Sequence, residues 1–149
     1  CFFPSSNWRL MKIIFQTKKL NVEKVLNNFA SKNNSSGSVI SFLGKVRPSN
    51  KKKKIKTMDI EIYEKMALYQ TKLALKKLLK EIKIQDYLIM HRYGNLKPGE
   101  NIIFLIVASE HRKEGFIFIQ EILLYFKKKI TFWKKENYQD SSKWLDKQS

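Results

Sequence analysis

The chain is 149 residues long, 43% hydrophobic and 13% aromatic, and 30 Lys and Arg against 13 Asp and Glu give it a formal net charge of +17. That length suits one domain burying about two thirds of its unfolded surface, and that apolar content excludes an intrinsically disordered chain. A single cysteine, Cys1, excludes an internal disulfide and a cysteine-based metal site, and the two histidines, His91 and His111, are too few for a zinc or two-metal centre.

A field of this sign attracts anions in general: nucleic acid, acidic membrane, acidic protein or a phosphorylated small molecule. The excess is nearly all lysine, spread along the whole chain, so charge alone is weak evidence for function. The expected compartment is reducing and intracellular, the cytoplasm. The longest apolar stretch, residues 102–108, is far too short to span a bilayer, and residues 1–4 lack a signal-peptide core. Met11 reads as a natural start, so residues 1–10 are expected to be an upstream extension and 11–149 a single domain.

Residues 12–16 form a short apolar run, read as an edge strand. Asn21 caps a helix whose Val22, Val25, Leu26 and Phe29 recur at helical spacing. A polar loop over 31–37 leads to a strand over 39–46, in which Gly44 marks a bulge or a close backbone approach. Arg47, Pro48 and the lysines at 51–54 read as a mobile, solvated basic loop. Residues 56–62 alternate, with Met58, Ile60 and Ile62 on one face and Thr57, Asp59 and Glu61 on the other. That predicts a half-buried strand antiparallel to the preceding one.

A helix over 66–82 carries two apolar stripes, Leu68, Leu75, Leu79 and Ile82 on one side and Met66, Tyr69 and Leu73 on the other. It is therefore expected between its own domain and a second layer or partner subunit. A strand over 87–93 precedes a type II turn at residues 97–100, where Pro98 and Gly99 hold the favoured positions. Residues 102–108 predict a fully buried strand. Ser109 is the expected N-cap of a helix striped by Phe116, Ile119, Leu123, Phe126 and Ile130. After Thr131 the chain turns extended, and Trp144 and Leu145 anchor the tail. The order predicts a single α+β domain with a largely antiparallel sheet.

Three places could carry chemistry. Residues 109–112, Ser-Glu-His-Arg, stand where a buried strand becomes a helix, an end that favours anions. Arg47 ends a strand at the sheet rim. Lys127 follows the core residue Phe126, so it is expected to lean along the apolar face and be partly dehydrated, which lowers an amine's pKa. Lys134, seven residues on and after Phe132-Trp133, is placed in the same way. Lys128, Lys129 and Lys135 read as solvated charge, and His91 as a packing residue. On spacing alone the better reading is a helix C-terminus decorated with lysines that satisfy its dipole. No glycine-rich phosphate loop, Ser/His/Asp signature or carboxylate pair is present.

Four segments in unbroken order narrow this reading: Phe42-Leu43-Gly44-Lys45-Val46-Arg47, residues 91–100, Ser109-Glu110-His111-Arg112, and residues 125–136 with Lys127 and Phe132-Trp133-Lys134. Together they resemble the large, catalytic subunits of molybdopterin synthase, over about residues 37–144. The resemblance implies an α/β hammerhead fold and a homodimer within a heterotetramer. A small ubiquitin-like sulfur-carrier subunit at each end would bring a C-terminal thiocarboxylate to the site. The substrate implied is cyclic pyranopterin monophosphate, and the product the molybdopterin dithiolene, with no metal or other cofactor in the synthase.

On the matching positions the resemblance implies Lys127 as general acid/base or oxyanion stabiliser and Lys134 as the second active-site lysine. Arg47, His111 and Arg112 would bind phosphate and pterin, some across the dimer, and Phe42 would be an aromatic wall. Two positions depart from the family pattern. Thr131 replaces a common proline before Phe-Trp, which is expected to loosen the turn. Lys143 replaces a common arginine before Trp144, which would exchange a bidentate substrate contact for a point charge. The rival readings are a basic nucleic-acid-binding module, which lacks the stacking aromatics and motifs of such folds, and a degenerate scaffold for the small subunit. The resemblance implies no membrane and no specific nucleic acid.

Overall fold

The computed structural model describes residues 12–146. The elements run β1 (Ile13–Gln16), α1 (Val22–Lys32), β2 (Ser38–Lys45), β3 (Ser49–Asn50), β4 (Lys53–Lys54), β5 (Thr57–Ile62) and α2 (Glu64–Glu81). They continue with β6 (Asp86–Arg92), β7 (Gly94–Leu96), β8 (Asn101–Ser109), α3 (Arg112–Lys128), β9 (Phe132–Asn137) and β10 (Ser142–Trp144). The expectation about residues 1–10 and a start at Met11 lies outside the described residues.

Two four-stranded sheets, ordered β1-β6-β8-β2 and β10-β9-β5-β7, share the fold with a two-stranded hairpin, β3-β4. Among the described residues every strand pair is antiparallel except β1 with β6. The α+β expectation holds. No helix among the described residues is long and apolar enough to cross a membrane.

β8 is apolar at nearly every position because both its faces are covered. Ile103, Leu105 and Val107 enter a core shared with Leu75 and Leu78 of α2, with Phe118, Ile122 and Phe126 of α3, and with Met58, Ile60 and Leu96 of the second sheet. Phe104, Ile106 and Ala108 pack the other way, against Phe29 of α1 and Leu88 and Met90 of β6. Several local signals are realised as read. Asn21 accepts the Lys24 N–H at 3.3 Å as helix cap. The register shifts between Gly44 and Lys45, and a Cβ on Gly44 would stand 2.6 Å from Ile103. Gly99 has φ +86° in the turn, and the Glu100 N–H closes it on the Lys97 carbonyl at 3.1 Å.

Other expectations are corrected. β5 has the alternation foreseen, but it pairs with β7 and β9, not with the preceding strand β2. Alternation fixes which face is buried and leaves the pairing partner open. The basic loop is an ordered hairpin whose tip, Lys51 and Lys52, has φ 47° and 68°. Ser109 is not the N-cap: it still pairs with Ser38 in β8, and its buried hydroxyl donates to the His111 carbonyl at 2.6 Å. His111 occupies the cap position without a side-chain cap bond. Phe116 is 56% exposed, and Phe118 and Ile122 fill the core places instead. On α2 the stripe of Met66, Tyr69 and Leu73 is exposed, so this chain covers only one side of the helix. In the tail, Leu145 rather than Trp144 reaches the core, and its N–H bonds the Lys134 carbonyl at 2.7 Å.

β9 faces inward with an unusual row. Phe132, Lys134 and Glu136 lie opposite Ile62, Ile60 and Met58 of β5, and cross-strand partners share a face. Glu136 is fully buried. Its Oε2 accepts from Arg47 Nε at 3.0 Å, and its Oε1 accepts from Arg47 Nη2 at 3.2 Å, Asn50 Nδ2 at 2.7 Å and the Tyr138 hydroxyl at 2.9 Å. Burial alone would push this carboxyl up, but these hydrogen bonds and the Arg47 charge together hold it below the usual carboxylate range. One carboxylate thus ties β9 to the end of β2 and to the β3-β4 hairpin.

Two outcomes follow for stability. A hairpin tip with positive φ at both central residues favours Asn-Gly over Lys-Lys. Replacing Lys51 and Lys52 by Asn and Gly should therefore raise the unfolding free energy by about 1 kcal/mol in urea titrations. Because its folded-state pKa is depressed, Glu136 contributes stability that is present above the unfolded carboxyl value, about pH 4.3, and lost as pH falls through the folded value. Glu136→Gln should be less stable at pH 7 and should lose less further stability on acidification. An acid limb as steep as that of the parent would contradict this role.

Candidate active site

The candidate site lies where α3 ends and β9 begins. The Lys129 and Ile130 N–H groups both close on the Tyr125 carbonyl, at 2.8 and 2.9 Å, and Ile130 turns into the core. The next residue, Thr131, is not loose. Its N–H donates to Gln70 Oε1 at 2.9 Å, and Gln70 Nε2 donates to its hydroxyl at 3.3 Å, so α2 pins the turn from the side. Proline could not make the first of these bonds. The loosening expected from the missing proline is therefore offset by a glutamine that sequence spacing did not reveal.

The two lysines differ in surroundings. Lys127 lies on the last helical turn and is exposed, contrary to the expectation that it leans into the apolar face. Lys134 is half-buried on the inward row of β9, between Phe132 and Glu136, and burial pushes its amine below the ordinary lysine value. Among the described residues no carboxylate forms an ion pair with it. Lys135, expected to be solvated, faces the other way, 3.8 Å from Asp59 and 5.2 Å from the centre of the Trp144 ring. His91 packs in its strand, as read, against Phe126 and Phe132.

Arg47 is exposed at its outer side and held at its inner side by Glu136, a bidentate pair that fixes the guanidinium plane. Lys143, in β10, is exposed and lies opposite Glu136 in register. Arg47 and Lys143 thus lie at Glu136, Lys134 stands two residues before it on the same row of β9, and Lys127 is on the last turn of the helix that leads into this strand. Glu136, Asn50 and Tyr138, which position Arg47, escaped the reading of single motifs. The alternation of Phe132, Lys134 and Glu136 against the apolar row of β5 was the signal that could have found them.

His111 and Arg112 are elsewhere. Both are exposed at the start of α3, beyond the end of β8 where Ser109 pairs with Ser38, the first residue of β2. Arg47 follows the other end of β2. An eight-residue strand spans about 26 Å at about 3.3 Å per residue, so one chain does not bring Arg47 and His111 together. Phe42 lies between them on β2, 38% exposed, with Leu43 at 39% beside it. β2 is the edge of its sheet. Among the described residues no three His, Cys, Asp or Glu side chains gather where a metal ion could be held.

With this geometry in place, comparison with known proteins is informative. Residues 15–129 match the family described as MoaE protein. The molybdopterin synthase catalytic subunit of Pyrococcus abyssi is 31% identical over 136 residues, covering 91% of this chain and 90% of that protein. The X-ray crystal structure of molybdopterin synthase from Staphylococcus aureus superimposes with a TM-score of 0.79 at 25% identity, over 91% of this chain and 96% of that one. The same fold, at 18% identity and a TM-score of 0.73, occurs in the protein–protein complex of subunits 1 and 2 of the molybdopterin-converting factor from Helicobacter pylori, over 94% of this chain and 92% of that one. Sequence and fold agree over nearly the whole length, and the chain belongs to the MoaE family, that of the molybdopterin synthase catalytic subunits.

Proposed function

We propose that the chain transfers sulfur from the C-terminal thiocarboxylate of a small ubiquitin-like carrier subunit to cyclic pyranopterin monophosphate, building the molybdopterin dithiolene in two rounds in the cytoplasm. In each round a carbon–sulfur bond forms on the substrate as a carbon–oxygen bond there breaks, its oxygen leaving with the phosphate or as water; a second water then cleaves the carrier's acyl–sulfur bond and supplies the oxygen of the carboxylate left behind. The observation that carries this reading is Lys134, an amine pushed down by burial and one place along the inward row from Glu136, which fixes the Arg47 guanidinium. An anionic tail and a phosphorylated substrate both favour such a cationic pocket. The Helicobacter pylori complex of two subunits supports a small-subunit partner.

The surroundings of the lysines divide the work between them. Lys134 loses its proton more readily than a solvated lysine and is suited to proton transfer. Lys127, exposed on the last turn of α3, is suited to meeting the tail and stabilising the oxyanion. Arg47, His111, Arg112 and Lys143 bind phosphate and pterin, and Phe42 forms a wall.

The separation of Arg47 from His111 supports a site shared between two copies. β2 is an open edge exposed at its middle, and such an edge readily pairs with another strand. Antiparallel pairing of two β2 strands about a two-fold axis would set the Arg47 end of each against the Ser38 end of the other, where His111 and Arg112 stand.

Reconstitution with thiocarboxylated carrier and cyclic pyranopterin monophosphate, assayed as molybdopterin, tests the residues. Lys127→Ala and Lys134→Ala should each lower turnover by about 100-fold or more; turnover that persists in both removes the site from where we place it. Mixing Arg47→Ala with His111→Ala protein under conditions of subunit exchange should restore about a quarter of parental activity, since half the dimers then hold one intact site. No recovery despite demonstrated exchange would rule out the shared site.

A further inference from the structure

His91 is the buried ionisable group that the reaction above leaves unused. It is 2% exposed and lies within a stack of rings. Its imidazole is 4.3 Å from the Phe132 ring at an interplanar angle of 13°, and 5.8 Å from Phe126 at 23°. Phe15 tilts against it at 6.4 Å. Nδ1 lies 2.9 Å from the Arg92 carbonyl. A carbonyl only accepts, so Nδ1 carries the proton and the neutral ring keeps its lone pair on Nε2. Phe126 immediately precedes Lys127, and Phe132 precedes Lys134 by one place on the inward row. Phe126 and Phe132 also stack on each other, with centroids 5.6 Å apart at 30°, so the imidazole is the third ring of one cluster where the end of α3 meets the start of β9.

We propose that His91 is a positioning residue for Lys134: its ring, packed against both Phe126 and Phe132, holds the start of β9 against the core and keeps water from the Lys134 amine. The proposal rests on the reading of Lys134 as an active-site amine. Among the described residues, the ionisable groups on the elements around Lys134 are His91 on β6, Glu136 on its own row with Arg47 and Tyr138 bound to it, Lys143 opposite Glu136 on β10, and Lys127 at the end of α3. β5 offers only Met58, Ile60 and Ile62 to this face. A second cation there would repel the ammonium. Burial first, and the Lys134 charge second, push His91 down to about 3, against the pull of the Arg92 carbonyl, so the ring stays neutral at working pH. The pH response of this corner then belongs to Lys134.

The test reads the Lys134 amine directly, by NMR titration of carbon-13-labelled lysine with the resonance assigned from Lys134→Arg. In the parent protein Lys134 should titrate below the other lysines. His91→Phe keeps a flat ring in the stack and should leave that titration in place. His91→Leu fills the volume without a flat face and should let Lys134 move up by about one pH unit, with a tenfold or greater loss of kcat and little change in KM. If His91→Leu does not fold, Phe132→Leu removes the β9 ring of the same cluster and should give the same upward shift. An unmoved Lys134 in folded His91→Leu or Phe132→Leu protein overturns the proposal, as does a shift in His91→Phe equal to that in His91→Leu. Should Lys134 titrate as expected in all variants while Lys134→Ala keeps full turnover, the positioning stands and the reaction assigned to Lys134 falls.

Discussion

A fully buried carboxylate has to be met by donors, and at Glu136 that requirement organises the structure around it. Arg47, Asn50 and Tyr138 supply four bonds between them, drawn from the end of β2, from the β3-β4 hairpin and from the chain just beyond β9. Without them β9 could not turn Glu136 inward, and the alternation that places Glu136 inside also places Phe132 and Lys134 there. Lys134 owes its dehydration to the same register that buries the glutamate. The site is thus a consequence of strand geometry as much as of residue type: shifting β9 by one residue would send Trp133 and Lys135 inward and leave Arg47 without its anchor.

The second constraint is the open edge at β2. Within one chain the cationic side chains fall into two groups, one around Lys134 and one at the start of α3, at opposite ends of the same strand. Cations kept apart in this way do not repel one another in the folded monomer, and a field of +17 is more easily carried when its charges are dispersed. Bringing the groups together only on pairing would couple site completion to assembly. The exposed apolar stripe on α2 leaves a further surface of this chain uncovered.

Much of the fold was legible in the sequence. The three helices, the alternation of β5, the buried β8, the Gly44 bulge and the turn at Gly99 all follow from periodicity and from backbone preferences with a definite cause. What was not legible depends on contacts distant in sequence. Which strand pairs with β5 is decided by β7 and β9, and alternation carries no information about partners. Asn-Gly would have announced the hairpin tip; Lys51 and Lys52 hid it, because lysine is uncommon at positive φ. Ser109 read as a cap because its residue type suits one, but pairing with Ser38 keeps it in the strand. At the site, spacing alone ranked Lys127 with Lys134, and the family resemblance named both. Only the inward row of β9 separates them by environment. The replacement of proline by Thr131 looked like a loss until Gln70 appeared beside it, 61 residues away in sequence.

The central proposal is that proton transfer by the Lys134 amine is required for sulfur to leave the carrier. Single-turnover mass spectrometry of the carrier's C-terminus, mixed with cyclic pyranopterin monophosphate and either parental or Lys134→Ala protein, tests it most directly. The parental protein should convert thiocarboxylate to carboxylate in step with the appearance of molybdopterin, and Lys134→Ala should bind the carrier but leave its sulfur in place. Conversion at the parental rate by Lys134→Ala would contradict the account.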